Sequence, residues 1–190
     1  YFHENQLSYP WPPEDKDIDL KRDLHYHYIN YTSSLVANFN LFNSQYHLDS
    51  YIASIRKYLK KMPDFNNFES IDLISKKSAV LYIGCELHRF NKNKIEKNNK
   101  KPLILWNHRW EFDKNPELFF NTLFKLKKEN IDFNLAVLGE QFKEYPKIFD
   151  EAKEKLSDHI LQFGYCETFK EYAQWLWRTD ILPVTSNQDF

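Results

Sequence analysis

Arg109 and Lys114 stand five positions apart in the stretch "LILWNHRWEFDKNPELFF" (103–120), between an apolar run and an amphipathic helix. In an open parallel sheet, ligands bind outside the carboxyl ends of the strands, where helix N-termini present backbone N–H groups. Two cations in such a turn suit a diphosphate, because the helix end supplies partial positive charge and the side chains complete the cradle. Each charge-assisted hydrogen bond of this kind contributes about 1.5–3 kcal/mol. A plainer arrangement is equally compatible with the spacing: both cations could pair with Glu111 and Asp113 on a solvated loop. Gly139, ahead of Glu140, and Gly164, ahead of Tyr165, each end an apolar run, as turns beside a cleft do.

Other constellations lead nowhere. With three glycines in the chain, neither a G-x-G-x-x-G dinucleotide turn nor a phosphate-binding G-x4-G-K-[ST] loop is available. His3-Glu4 begins like a zinc-protease helix, but Leu7 stands where the second histidine belongs. His25 and His27 are two apart on an expected helix and diverge. Asp15-x-Asp17 and Asp17-x-Asp19 match the D-x-D pattern of metal-dependent sugar transfer, but they follow "YPWPPE" rather than a buried strand, so a solvated acidic loop is expected. No metal ligands are assigned.

The elements that must position Arg109 and Lys114 are regular from Lys101 onward. "PLILW" (102–106), "FNLAVLG" (133–139), "HILQFGY" (159–165) and "DILPVTS" (180–186) read as strands. Between them, Asn115-Pro116 opens a helix with Phe119, Phe120, Leu123 and Leu126 on one face. "YPKIFDEAKEKL" (145–156) and "TFKEYAQWLWRT" (168–179) supply two more. Pro183 marks an end or bulge in the last strand, because proline cannot donate to a ladder. Alternation of strand and helix with short turns implies a parallel sheet.

The first ninety residues read less evenly. "YF" at the start resembles the tail of a strand, and a proline-rich acidic loop follows. A helix is expected from about Lys21 to Ala37, a short strand at 39–43, a Ser44-capped helix over 44–61, and a strand at 78–84. The lysine-rich segment "NKNKIEKNNKK" (91–101) has nothing to bury and reads as a solvated linker. The expected organisation is α/β, with residues 1–90 and 102–190 as two halves joined by 91–101.

Composition sets wider limits. With 190 residues, 42% of them hydrophobic, a real core is possible. The formal net charge of −1 offers no general attraction to nucleic acid or membrane. Cys85 and Cys166 form no pattern, so a reducing, cytoplasmic setting is expected. No apolar run approaches the ~18 residues of a membrane span. The chain begins at Tyr1 and stops just after an apolar run, so it is expected to belong to a longer protein. Sheets deprived of strands would expose edges and apolar faces, and marginal solubility follows.

Two α/β halves, an Arg-x4-Lys after the first strand of the second half, and an acidic residue after "ILPVTS" resemble the retaining glycosyltransferases of GT-B architecture, family-4-like. "YFHENQL" (1–7), "FNSQYHLDSYI" (42–52), "WNHRWEFDKNPE" (106–117) and "VLGEQF" (137–142) look more narrowly like the tRNA-queuosine α-mannosyltransferases. That resemblance covers nearly the whole chain. It implies two Rossmann-like domains, each incomplete here, a GDP-mannose donor, a tRNA acceptor and no metal cofactor. It implies that Arg109 and Lys114 bind the donor diphosphate, that Phe163, Gly164 and Tyr165 lie near the guanine with Gly139 in the donor turn, and that His3 touches the donor sugar. Asp189 falls where the first glutamate of an E-x7-E motif is expected, one methylene shorter, near the ribose. Two other readings remain open. One is a retaining transferase of the same architecture acting on lipid or polysaccharide; the other is a non-catalytic nucleotide-binding α/β module.

Overall fold

A computed structural model of the chain describes residues 1–8, 16, 20 and 24–186. The acidic D-x-D loop, the start of the helix expected from Lys21, and Asp189 lie outside the described residues. The chain divides into two compact units, Tyr1–Gly84 and one beginning at Cys85.

In the first unit, helix α1 (His25–Val36) leads to strand β1 (Asn40–Phe42), helix α2 (Gln45–Leu59), helix α3 (Glu69–Lys76) and strand β2 (Ser78–Val80). β1 and β2 run parallel, and Phe2 bridges in parallel to Phe42 on the other edge of β1. The aromatic rings of Phe2 and Phe42 stack at 5.1 Å. Ser44 caps α2 by accepting from the His47 N–H, so the helix begins where the side-chain oxygen replaces a missing carbonyl. Its apolar face buries Tyr51, Ile55, Tyr58 and Leu59 against Phe42, Ile71 and Ile74. Buried phenols find partners: Tyr51 donates to the Asn30 carbonyl at 2.7 Å, and Tyr31 shares a 2.9 Å bond with Ser70. Burial pushes the Tyr51 hydroxyl well above the ordinary phenol range. Lys77 donates to the carbonyls of Leu35 and Ala37, both at 2.6 Å, a cation where the end of α1 carries negative charge.

The strand expected over 78–84 stops at Val80. The Leu81 N–H still donates to the Phe42 carbonyl at 2.7 Å, but β1 ends there, and Leu81, Tyr82 and Ile83 are exposed. Helix α3 has no side-chain N-cap and so gave no start signal in the sequence.

The second unit opens with the short helix α4 (Leu87–Asn91), followed by β3 (Leu103–Asn107), a 3-10 turn (Phe112–Lys114), α5 (Pro116–Lys128), β4 (Asn134–Leu138), α6 (Ile148–Lys155), β5 (Ile160–Phe163) and α7 (Phe169–Arg178). The sheet is parallel in the order β3-β4-β5, and Ile181 bridges in parallel to Ile104 on the free edge of β3. Only that bridge remains of the strand expected over 180–186. Pro183 cannot extend the ladder, and Thr185 instead donates its hydroxyl to the Lys114 carbonyl at 2.8 Å.

Alternation along β3 and β4 loads both faces of the sheet. Ile104, Trp106, Leu135 and Val137 pack with Phe119, Phe120 and Phe149 from α5 and α6. Leu103, Leu105, Ala136 and Leu138 face Tyr172, Trp175 and Leu176 of α7. The lysine-rich segment expected as a linker runs beside this unit: Asn99 donates to the Arg178 carbonyl and to Asp180, and Lys97 donates to the Thr179 carbonyl.

Candidate functional site

The turn after β3 is built by its tryptophans. Trp106, at the strand's end, donates its indole N–H to the His108 carbonyl at 2.9 Å, which folds the turn back on the strand. Trp110 donates its own to the Leu138 carbonyl at 3.1 Å, and its backbone N–H reaches the Glu140 carbonyl at 3.1 Å. The Trp110 ring lies flat on Phe149, centroids 4.3 Å apart. The turns after β3 and β4 are thereby fastened together. Gly139 makes the fit possible: its φ is +106°, and a β-carbon there would meet the His108 carbonyl oxygen at 2.0 Å. Beyond Trp110 the 3-10 turn delivers Asn115, at φ +53°, whose side chain accepts from the Leu118 N–H and starts α5 at Pro116.

A cleft of about 410 Å³ opens at the carboxyl ends of the three strands, the place where parallel α/β sheets receive ligands. Arg109, Gly139 and Glu140 line it from the first two turns; Tyr165, Cys166 and Thr168 line it from the third. Helix α7 points its N-terminus there. Thr168 accepts from the Glu171 N–H while Glu171 accepts from the Thr168 N–H, a reciprocal cap. Asn107 donates to the Tyr172 hydroxyl at 3.0 Å and pins the end of β3 to this helix.

Arg109 is half exposed, with its guanidinium 3.1 Å from Glu111. Burial raises the Glu111 carboxyl above the usual range, and the neighbouring guanidinium opposes that shift. Lys114 lies 3.0 Å from the largely buried Asp113 and does not line the cleft. Each cation is thus paired with its neighbouring carboxylate, although the loop is partly buried rather than solvated. Such a pair at a half-exposed position is worth about 0–1 kcal/mol, less than the ~1.5–3 kcal/mol of a bond to a charged phosphate. The guanidinium is therefore free to exchange Glu111 for a more strongly bonding anion.

The other expected site residues fall as follows. Gly164, at φ +117°, turns the chain from β5 to the exposed Tyr165 of the cleft wall. Phe163 packs edge-on against Trp110, centroids 5.0 Å apart, behind the wall. His3 belongs to the first unit, exposed and edge-on to the Tyr1 ring at 5.1 Å. Sequence reading missed Asn107, Cys166, Thr168 and Tyr172; only Thr168 carried a signal, the T-x-x-E of a capping box. Among the described residues no group of three or more acidic, histidine or cysteine side chains gathers as a metal site. No helix among them is long and apolar enough to cross a membrane.

Comparison with known proteins adds three findings. A solved glycosyltransferase from Rickettsia africae ESF-5 is similar at 14% identity over 94% of this chain and 58% of that one, with a TM-score of 0.49. A tRNA-queuosine alpha-mannosyltransferase of Drosophila melanogaster is 34% identical over the whole of this chain, which spans about half (51%) of the relative's length. Residues 1–85 match the family described as tRNA-queuosine alpha-mannosyltransferase N-terminal. The chain is thus similar, over its whole length, to the tRNA-queuosine alpha-mannosyltransferase family.

Proposed function

We propose that the protein transfers mannose from GDP-mannose to queuosine in tRNA with retention of configuration, in a cytoplasmic setting. What carries this reading is the position of Arg109 in the strand-end cleft, beside the N-terminus of α7, in a chain whose full length aligns with such an enzyme. In the transfer, the bond between the sugar's anomeric carbon and the β-phosphate oxygen breaks. A bond forms from an acceptor hydroxyl oxygen to that carbon, and the hydroxyl proton passes to the departing phosphate. Negative charge grows on the β-phosphate oxygen as this happens. Fixed cations that meet the charge as it develops lower the barrier, whereas cations that bind ground state and transition state equally do not.

In this reading Arg109 exchanges Glu111 for the diphosphate, while Lys114 stays with the largely buried Asp113 outside the cleft lining, and no metal is assigned. Gly139 lets the backbone approach the phosphates. Tyr165 offers a ring to the guanine, while Gly164 and Phe163 set the turn that presents it. His3 is assigned to the donor sugar and Asp189 to the ribose. The test is to incubate the intact protein with queuosine-containing tRNA and GDP-mannose, then identify the digested nucleosides by mass spectrometry. Mannosyl-queuosine is expected. Its absence, together with transfer to a lipid or polysaccharide acceptor or no binding of GDP-mannose at all, would overturn the reading.

A further inference from the structure

We propose that the exposed cations Arg89, Lys92, Lys94 and Lys100, carried along helix α7, form a docking track for a single-stranded polynucleotide; this rests on the reading that the acceptor is RNA.

The track is held in place. The Phe90 ring meets Phe169 edge-on at 4.9 Å, the Phe90 carbonyl accepts the Trp177 indole N–H at 2.8 Å, and Asn99 donates to the Arg178 carbonyl at 2.6 Å. The segment 87–101 is therefore fastened at both ends of α7, a ten-residue helix of about 15 Å. It begins beside Phe169, which lines the cleft, and leads away from it. Within 87–101 stand Arg89 and five lysines against the single carboxylate of Glu96. Lys97 is committed to Thr179 and Asp180, and Lys101 to Asp132. Arg89, Lys92, Lys94 and Lys100 are exposed. Arg89 also stands 3.9 Å from Glu86, but both side chains are well exposed, so that pair holds it weakly.

The arrangement couples charge to aromatic faces. Arg89 sits 4.1 Å above the Phe169 ring, and Lys94 sits 5.1 Å from the centroid of Trp177. An open trough of about 720 Å³ lies between Lys94, Ile95, Glu96, Lys97 and Trp177, two lysines against one carboxylate. Single strands are bound by this combination, cations tracking the phosphates and rings stacking with unpaired bases. A solvated linker would need none of the bonds that fix this segment. An anionic membrane surface fits less well, because it is met by apolar side chains beside the cations, and here Ile95 and Trp177 are half buried.

The test uses the intact protein and a fluorescent single-stranded RNA oligonucleotide of mixed sequence, with binding read by anisotropy across a range of salt concentrations. Lys92→Glu/Lys94→Glu is expected to weaken RNA binding about tenfold or more. The milder Lys92→Ser/Lys94→Ser should reduce the salt slope by about 1.4, at roughly 0.7 per phosphate contact. Affinity for GDP, measured on the same preparations, should not change and certifies the fold. Unchanged RNA affinity and slope in variants that bind GDP normally would overturn the track, as would binding to phosphatidylserine vesicles in place of RNA. Because binding is read without turnover, the two proposals separate. A protein that fails to mannosylate queuosine yet binds RNA through these lysines keeps the track and loses the transferase reading. One that mannosylates normally with both lysines replaced loses the track alone.

Discussion

The α-carbon of Gly139 stands so close to the His108 carbonyl that a β-carbon would come within 2.0 Å of its oxygen. The contact is backbone to backbone, so no rotamer change relieves it. Gly139→Ala must also accept a φ of +106°, and the two together are expected to cost at least ~3 kcal/mol. Gly164→Ala carries the same conformational penalty, at φ +117°, but meets nothing within 4 Å, so about 1–2 kcal/mol is expected. Urea unfolding of both variants checks the ordering. Equal losses would show that the approach of the two turns is not tight.

Trp110 tests the same junction from the other side. Trp110→Phe keeps a ring against Phe149 but leaves the Leu138 carbonyl without its 3.1 Å indole donor. An unsatisfied buried acceptor costs about 1–3 kcal/mol. The expected result is a loss of stability in that range with GDP affinity also reduced, since Leu138 lines the cleft. Denaturant titration and calorimetric GDP binding read the two effects.

Arg109→Ala is expected to lower kcat about 100-fold, equivalent to roughly 3 kcal/mol of transition-state stabilisation. Arg109→Lys should recover part of it, since charge survives while the planar fork is lost. Glu111→Gln removes the carboxylate that pairs with Arg109. GDP should then bind up to about fivefold tighter, the most that such a half-exposed pair is worth. Weaker binding by this variant would show that Glu111 orients Arg109 rather than competing for it.

Asp180 gives a pH-dependent prediction. Its carboxylate accepts the Leu103 N–H at 2.9 Å and the Asn99 amide at 2.7 Å, with Lys97 3.4 Å away. These partners, the backbone N–H foremost, hold its carboxyl below the ordinary range. A depressed acid contributes stability that is present above its unfolded value, about 3.9, and is lost as pH falls through the folded one. Asp180→Asn should therefore unfold at lower urea than the unsubstituted protein at pH 7 and pH 5. The gap between the two should narrow only below about pH 4. A gap that stays constant to pH 2.5 would show that the contact does not depend on the charge.

Much of the second unit was legible because its signals are local. Apolar runs at 102–106 and 133–139 became β3 and β4, and Asn115-Pro116 began a helix as their chemistry requires. Misreadings came where partners decide. Leu81–Ile83 has the composition of a strand, but pairing ends with the Leu81 N–H on the Phe42 carbonyl, the last residue of β1, and 180–186 keeps a single bridge at Ile181 because Pro183 and the Thr185–Lys114 bond draw it off the sheet. Arg109 was visible as a cation after a buried run. The parts played by Trp106 and Trp110 were not: two of the bonds that shape the turn join residues 28 and 30 positions apart, and nothing in a linear pattern distinguishes an indole that packs from one that also donates.

Those indoles leave the geometry of the turn after β3 independent of what sits at position 109. The hairpin-like bend is drawn shut by Trp106 below and Trp110 beyond, with the guanidinium a passenger on a scaffold that would persist without it. Conformation and ionic character are thus encoded by different letters of the same short word. A lineage can exchange one while keeping the other, which makes this loop a place where charge can change without the architecture collapsing.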